Sequence, residues 1–448
     1  MTPTTTISIQ PWMSDPATRA VMAPFSVPED ELPVALFVGG CVRDTILARE
    51  VGDVDIATSL SPREVMRRLD AAEIGYHTIG ADHGTIGAHA DGRTFEITTL
   101  RVDVETDGRH ARVAYTDDWA ADAARRDFTM NALYADQNGN IYDPLGGMDD
   151  LTARRVRFIG DPNDRIREDA LRILRFFRFH AQLEVQDFDP AGLAACRMQF
   201  DMIATLSGER IREELFKLLV APGALGVIGD PECADFVERV LPELPDLTAT
   251  FGFSYIAEVE QKIGQADPLR RLVALIDFDQ IMFQTSFDVR SAAESLVTRL
   301  RLSGDQRARL ERMIARPRDL APDGVSLSPG HTRGRSKQAI LYELGPDAWR
   351  DAVVLNWALH LNTVMETSIE GVRLPEVADS QWLALLAFPD HWAVPEFPLR
   401  GRDVLELGIP QGPEISRILK DLEAWWIAGG FDADRDTCLT ELARRVAG

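Results

Sequence analysis

Lysine is almost absent from this chain: Lys217, Lys262, Lys337 and Lys420 are the only four among 48 basic residues. Arginine carries the rest of the positive charge, as a planar fork suited to carboxylates and phosphates. Cysteine is scarce too. Cys41, Cys196, Cys233 and Cys438 lie far apart with no CxxC pair, which argues against a disulfide framework or a zinc site. That usage fits a reducing compartment, and the expected location is cytoplasmic. No apolar run reaches the ~20 residues needed to span a bilayer, so no membrane role is expected. The first residues have neither the basic nor the long apolar region of a signal peptide. An excess of positive charge is also lacking: 71 acidic residues leave a net charge of −23. A general nucleic-acid binder is usually basic, so any RNA-facing charge here has to be concentrated locally. There is no internal repeat, no low-complexity segment, and no HD-type metal pair in the C-terminal half.

What is present begins with size: 448 residues, 45% hydrophobic, enough for two to four domains. The organising stretch is LFVGGCVRDTILAREVGDVD, Leu36 to Asp55. Leu36, Phe37 and Val38 read as a buried strand. Gly39 and Gly40 follow, then a helical segment carrying Arg43 and Asp44. Glycines at a strand-to-helix turn let backbone approach a phosphate, and a helix start offers free N–H donors. Gly40 and Arg43 are thus candidate phosphate contacts. A second strand is predicted over Gly52 to Ile56, which places Asp53 and Asp55 on one face. Two carboxylates beside a phosphate cradle suit magnesium.

Further on, Ser61 and Pro62 open a helix, and strands are predicted over 76–79, 85–89 and 93–100, the last containing Glu96. From Arg101 to Trp119 periodicity is lost, which predicts a mobile loop. The segment Arg125-Arg126-Asp127-Phe128-Thr129-Met130-Asn131-Ala132 follows a helical stretch, and a strand and turn over Ile141–Gly147 close the first domain. The chain then turns helical from about Asp164. On a continuous helix Asp169, Arg172, Arg175 and Arg178 form one row at i+3 spacing. Ser207 caps a helix whose Ile211, Leu215, Leu218 and Leu219 make an apolar stripe.

Taken in order, the GG-x-V-R-D turn, the Asp53-x-Asp55 pair, RRDFTMNA, EDALRILRFFR and SGERIREEL resemble the class II tRNA nucleotidyltransferase and bacterial poly(A) polymerase family. The likeness is specific over residues 34 to 220 and weaker beyond. It implies an α+β fold: a polymerase-β-like nucleotidyltransferase head of mixed sheet and helices, then an all-α neck, body and tail. The domains expected are 1–150, 151–222, 223–330 and 331–448. The resemblance further implies that Asp53 and Asp55 hold two Mg²⁺ and that Glu96 completes the catalytic carboxylates. It gives Arg126 to the nucleotide phosphates, Asp127 to the ribose, Asp169 and Arg172 to the base, and Arg175 and Arg178 to the rest of the pocket. A carboxylate that accepts from the amine of cytosine or adenine rejects the carbonyl of uracil or guanine. The SGERIREEL helix is given a structural role only.

Beyond residue 220 the pattern is helical with Pro/Gly breaks, the longest over 316–335. A basic cluster of Arg333, Arg335 and Lys337 there is the candidate RNA contact. A helix opening at Pro413 buries Ile415, Ile418, Leu419, Leu422 and Trp426. The expected activity is template-independent addition of CCA to tRNA from CTP and ATP, with tRNA, ATP and CTP as partners and no obligate protein partner. A poly(A) polymerase, an enzyme adding only CC or only A, a small-molecule nucleotidyltransferase and an inactive RNA-binding protein stay open as alternatives.

Overall fold

The computed structural model describes residues 2–28, 31–79, 84–105, 112–244, 250–283, 288–318, 320–322, 336–369 and 377–447. They form two compact units, Met1–Pro242 and Glu243–Gly448.

The first unit is built on a sheet whose strands are β1 (Thr5–Thr6), β2 (Ala35–Val38), β3 (Asp55–Thr58), β4 (Gly75–Ile79), β5 (Thr85–Ala90), β6 (Arg93–Thr99), β9 (Tyr134–Ala135) and β10 (Asn140–Tyr142). Two further strands, β7 (Arg101–Glu105) and β8 (Arg112–Tyr115), pair separately. The main order is β1-β10-β9-β2-β3-β6-β5-β4. Only β3 and β6 run parallel, with Asp55 in register with Glu96; the other pairs are antiparallel. All four residues of β2 are buried, which is why its sequence is a continuous apolar run rather than an alternating one. Leu36, Val38 and Ala57 pack with Trp119, Ala132 and Tyr134 beneath the sheet.

Three details depart from the sequence expectation. The second strand starts at Asp55, so Asp53 stands in the extended approach to β3 and not on the strand. Val54 and Ile56 are buried while Asp53 is exposed, so the alternation holds although the ladder does not reach Asp53. The segment after Arg101 is not simply a loop. Its backbone pairs β7 with β8 as an antiparallel ribbon whose register shifts between Asp103 and Glu105, with residues 106–111 outside the described ones. The edge strand β1 carried no periodic signal because it is two residues long.

The helix expected from Asp164 onward is two helices, Pro162–Glu168 and Leu171–Leu183. Asp169 breaks them, with φ −153 and ψ 108, and its Oδ1 accepts from the Leu171 N–H at 3.0 Å. A short carboxylate competes for backbone N–H groups, so aspartate favours a helix end over a helix interior. Asp169 and Arg172 therefore do not share one helix face. Leu174 and Phe177 pack inward, Phe177 stacking on Phe236 at 3.9 Å. Leu171 is only half-buried.

The second unit is helical. Its cores hold charge as well as apolar groups: Glu260 accepts from Arg270 and Arg271 at 2.9 and 2.7 Å, and Asp277 from Arg316 at 2.6 Å. Much of the chain's arginine is thus structural. The helix Pro413–Ala428 has Pro413 in its first turn and buries Leu422 and Trp426, with Ile415, Ile418 and Leu419 packed against them. Arg333 and Arg335 lie outside the described residues; Lys337 starts the helix Lys337–Ile369. No helix among the described residues is long and apolar enough to cross a membrane.

Candidate active site

A cleft of about 660 Å³ in the first unit is lined by the residues singled out from the sequence. Gly39, Gly40, Arg43, Asp53, Asp55, Arg126, Asp127, Asp169, Arg172, Arg175 and Arg178 all reach it. Glu96 is not among its walls; it is exposed on β6, beside Asp55 through the parallel register.

The turn between β2 and the helix Gly40–Ile46 depends on Gly39, whose φ of +75 lies where a side chain is strained. Its N–H is held by the Leu133 carbonyl at 3.2 Å, which ties the turn to the chain just before β9. Arg43 is buried. Its guanidinium grips Asp44 with Nε and Nη2 at 2.9 and 2.7 Å and gives Nη1 to Asn131 Oδ1 at 2.8 Å. Asn131 in turn donates to Asp127 Oδ1 at 3.1 Å. Arg126 reaches Asp122 at 3.1 Å, and the buried Asp122 also takes Arg125 and the Tyr134 hydroxyl.

Asp127 organises the far wall. Its Oδ1 accepts from the Phe128 N–H at 2.8 Å and its Oδ2 from Arg175 at 2.6 Å. Burial would raise its pKa, but Arg175 and the Asn131 amide outweigh burial and hold it below the usual carboxylate range. Asp55 goes the other way. Burial first, then Glu96 and Asp53, push it up to about 6, against the pull of Arg126. Carboxylates that crowd each other in a half-buried wall are short of positive charge, which is a cation's opportunity. Among the described residues no group of three or more His, Cys, Asp or Glu side chains is arranged around a metal. Two carboxylates still fit magnesium, which takes its other oxygens from water and substrate phosphates.

The base-reading pair expected from the sequence is present in the cleft but not mutually paired. Arg172 donates to Glu168 Oε2 at 2.6 Å and to the Arg165 carbonyl at 2.9 Å. Asp169 Oδ2 accepts from Arg210 at 2.7 Å. Arg178 donates to buried Glu214 at 2.5 Å, and Arg175 reaches the same carboxylate at 3.4 Å.

Sequence reasoning thus missed Arg210, Glu214 and Lys217, all on the helix Gly208–Leu219. Glu214 had a legible signal: it sits within the stripe Ile211, Leu215 and Leu218, where an unpaired carboxylate would be costly. Lys217 lines the cleft and, unlike the six arginines there, has no carboxylate partner among the described residues.

Residues 35–157 match the family described as the Poly A polymerase head domain. The matched stretch holds Gly39, Gly40, Arg43, Asp53, Asp55, Arg126 and Asp127 of the cleft, so the match and the site fall together on a nucleotidyltransferase head. The chain is 32% identical over 412 residues to the mitochondrial CCA tRNA nucleotidyltransferase 1 of Danio rerio, covering 91% of this chain and 86% of that one. It is 30% identical over the same length and coverage to the Homo sapiens protein of that name. This chain belongs to the CCA tRNA nucleotidyltransferase family. Among solved structures, the Bacillus stearothermophilus CCA-adding enzyme in complex with CTP has the same fold, with TM-score 0.67 at 23% identity over 92% of this chain and 93% of that one. The Thermotoga maritima CCA-adding enzyme complexed with tRNA aligns at TM-score 0.53 and 17% identity, over 92% and 91%.

Proposed function

We propose that this chain adds C, C and A in turn to the 3′ end of tRNA, using CTP and ATP and releasing pyrophosphate. The observation that carries the reading is the cleft itself, where two crowded carboxylates face cations that outnumber the cleft's acids seven to five. Asp53 and Asp55 would hold magnesium, two ions on this reading, which when bound neutralise the triphosphate and favour the deprotonated 3′-hydroxyl. Glu96, in register with Asp55, adds to the negative field around them. The 3′-hydroxyl attacks the α-phosphorus in line. Gly40, Arg43 and Arg126 receive phosphates, and Asp127 faces the ribose.

Asp169 accepts from the exocyclic amine of cytosine or adenine, and Arg172 donates to the adjacent ring acceptor, while Arg175 and Arg178 complete the pocket. A uracil or guanine carbonyl would face the Asp169 carboxylate with no donor between them, so both bases are rejected. The domain reading is a head over 1–150, a neck over 151–222, a body over 223–330 and a tail over 331–448. The cluster of Arg333, Arg335 and Lys337 is the proposed tRNA contact in that tail. Four buried, unpaired thiols support a reducing compartment, taken here as the cytoplasm.

The test is to incubate the protein with tRNA lacking its last three nucleotides, CTP, ATP and Mg²⁺, and to sequence the 3′ ends. Ends completed to CCA are expected. Tails of adenosine alone, or ends halted at CC, would overturn the reading in favour of a relative within the family. In the same assay Asp169→Ala should lose discrimination against UTP and GTP.

A further inference from the structure

The helix Gly208–Leu219 reads from sequence as a capped amphipathic rod, yet one of its faces holds the reading side chains from behind. Residues 210 and 214 are one turn apart and share that face. Arg210 Nη2 donates to Asp169 Oδ2 at 2.7 Å, while the Leu171 N–H holds Asp169 Oδ1 at 3.0 Å. Glu214 takes Arg178 and Arg175.

We infer that Arg210 is a positioning residue for base choice, fixing the plane of the Asp169 carboxylate. The inference rests on the proposed reading of the base by Asp169. A carboxylate turns about its last bond in a broad, two-fold well. With only the Leu171 N–H attached it can pivot; with both oxygens tethered it cannot. Each oxygen has two acceptor positions, so one tether apiece leaves an outward position on each for the base amine. A fixed plane also keeps the anion pressed against a wrong carbonyl, which is where rejection comes from. Stability is a poor reason for this pair, because Arg210 is 38% exposed and Asp169 32% exposed, and such pairs add little.

The experiment measures kcat/KM for CTP and for UTP, together with Tm, in wild type, Arg210→Ala, Arg210→Lys and Asp169→Ala. Arg210→Ala should lower the CTP/UTP ratio by about tenfold with Tm nearly unchanged. Arg210→Lys keeps one donor for Oδ2 and should recover part of the ratio. As a control, Arg67→Ala removes another ion pair, to Glu64 on a helix that does not line the cleft, and should leave the ratio alone. If Asp169→Ala lowers the ratio and Arg210→Ala does not, the positioning role is overturned while base reading stands. If Asp169→Ala leaves the ratio unchanged, base reading falls and the role of Arg210 falls with it.

Discussion

Asp127 and Arg175 meet at 2.6 Å across 48 residues of sequence, joining the segment before β9 to the helix Leu171–Leu183. The pair closes a chain that runs Arg43, Asn131, Asp127, Arg175, Glu214, Arg178. Removing Asp127 or Arg175 leaves the other without that counter-charge. Asp127→Asn should destabilise the first unit by about 1.5–3 kcal/mol. Combining it with Arg175→Met should cost less than the two single changes added together. A double-mutant cycle on thermal unfolding measures this, and strict additivity would show that the two side chains do not depend on each other.

Asp53→Ala and Asp55→Ala should each remove nucleotide addition while leaving circular dichroism and tRNA binding near wild type. Both carboxylates face the cleft, and Asp53 is exposed outside the ladder, so its loss disturbs no strand pairing. Incorporation within tenfold of wild type corresponds to a barrier change of only ~1.4 kcal/mol. That result for either variant would remove it from the reacting centre.

His180 predicts an acid-sensitive first unit. Its ring lies buried against Phe188 at 3.6 Å, and burial lowers its pKa to about 4, against the smaller pull of Asp230 and Asp187. The unfolded chain takes up this proton near pH 6.5 and the folded chain only near 4. Folding stability from this group is therefore undiminished above pH 6.5 and falls as the pH drops toward 4, by up to ~3 kcal/mol in all. His180→Phe keeps the stacking and removes the titration. Denaturant unfolding from pH 7 to 4 should show the variant losing less stability than wild type; parallel profiles would refute the assignment.

Lys217 faces the cleft with no carboxylate partner among the described residues, so its charge is available to a substrate phosphate. Lys217→Met should raise a KM about three- to tenfold with kcat little changed. If the partner is the tRNA backbone, the KM for tRNA rises and its salt dependence weakens by about one unit of slope. When the triphosphate is the partner, the KM for CTP rises and the tRNA salt slope stays. Neither KM moving would return Lys217 to the ordinary surface.

Much of the head was legible because its signals are local. The apolar run of β2, the glycine turn and the strands around Glu96 each declare themselves within a few residues, and they fall close to where the structure has them. So does the cap at Ser61, whose hydroxyl accepts from the Glu64 N–H at 3.3 Å. Residue types within one segment, such as RRD, were equally open to reading, and Arg125, Arg126 and Asp127 all line the cleft.

What sequence determined by itself was most of the side chains that gather at the cleft, Lys217 being missed and Glu96 standing outside its walls; what only tertiary structure decided was how they are held. Spacing of three suggested that Asp169 and Arg172 share a helix face, but a capping bond to Leu171 costs the helix its continuity there. Their partners then come from elsewhere: Glu168 for Arg172, and Arg210, on a helix 41 residues on, for Asp169. Glu214 looked like one polar residue in an apolar stripe until Arg175 and Arg178 arrived from another helix to satisfy it. Periodicity records which face of an element is buried. It carries no record of which distant charge will be waiting there, because a buried carboxylate is stabilised by whatever cation the fold brings within ~3 Å, and only the folded chain makes that choice.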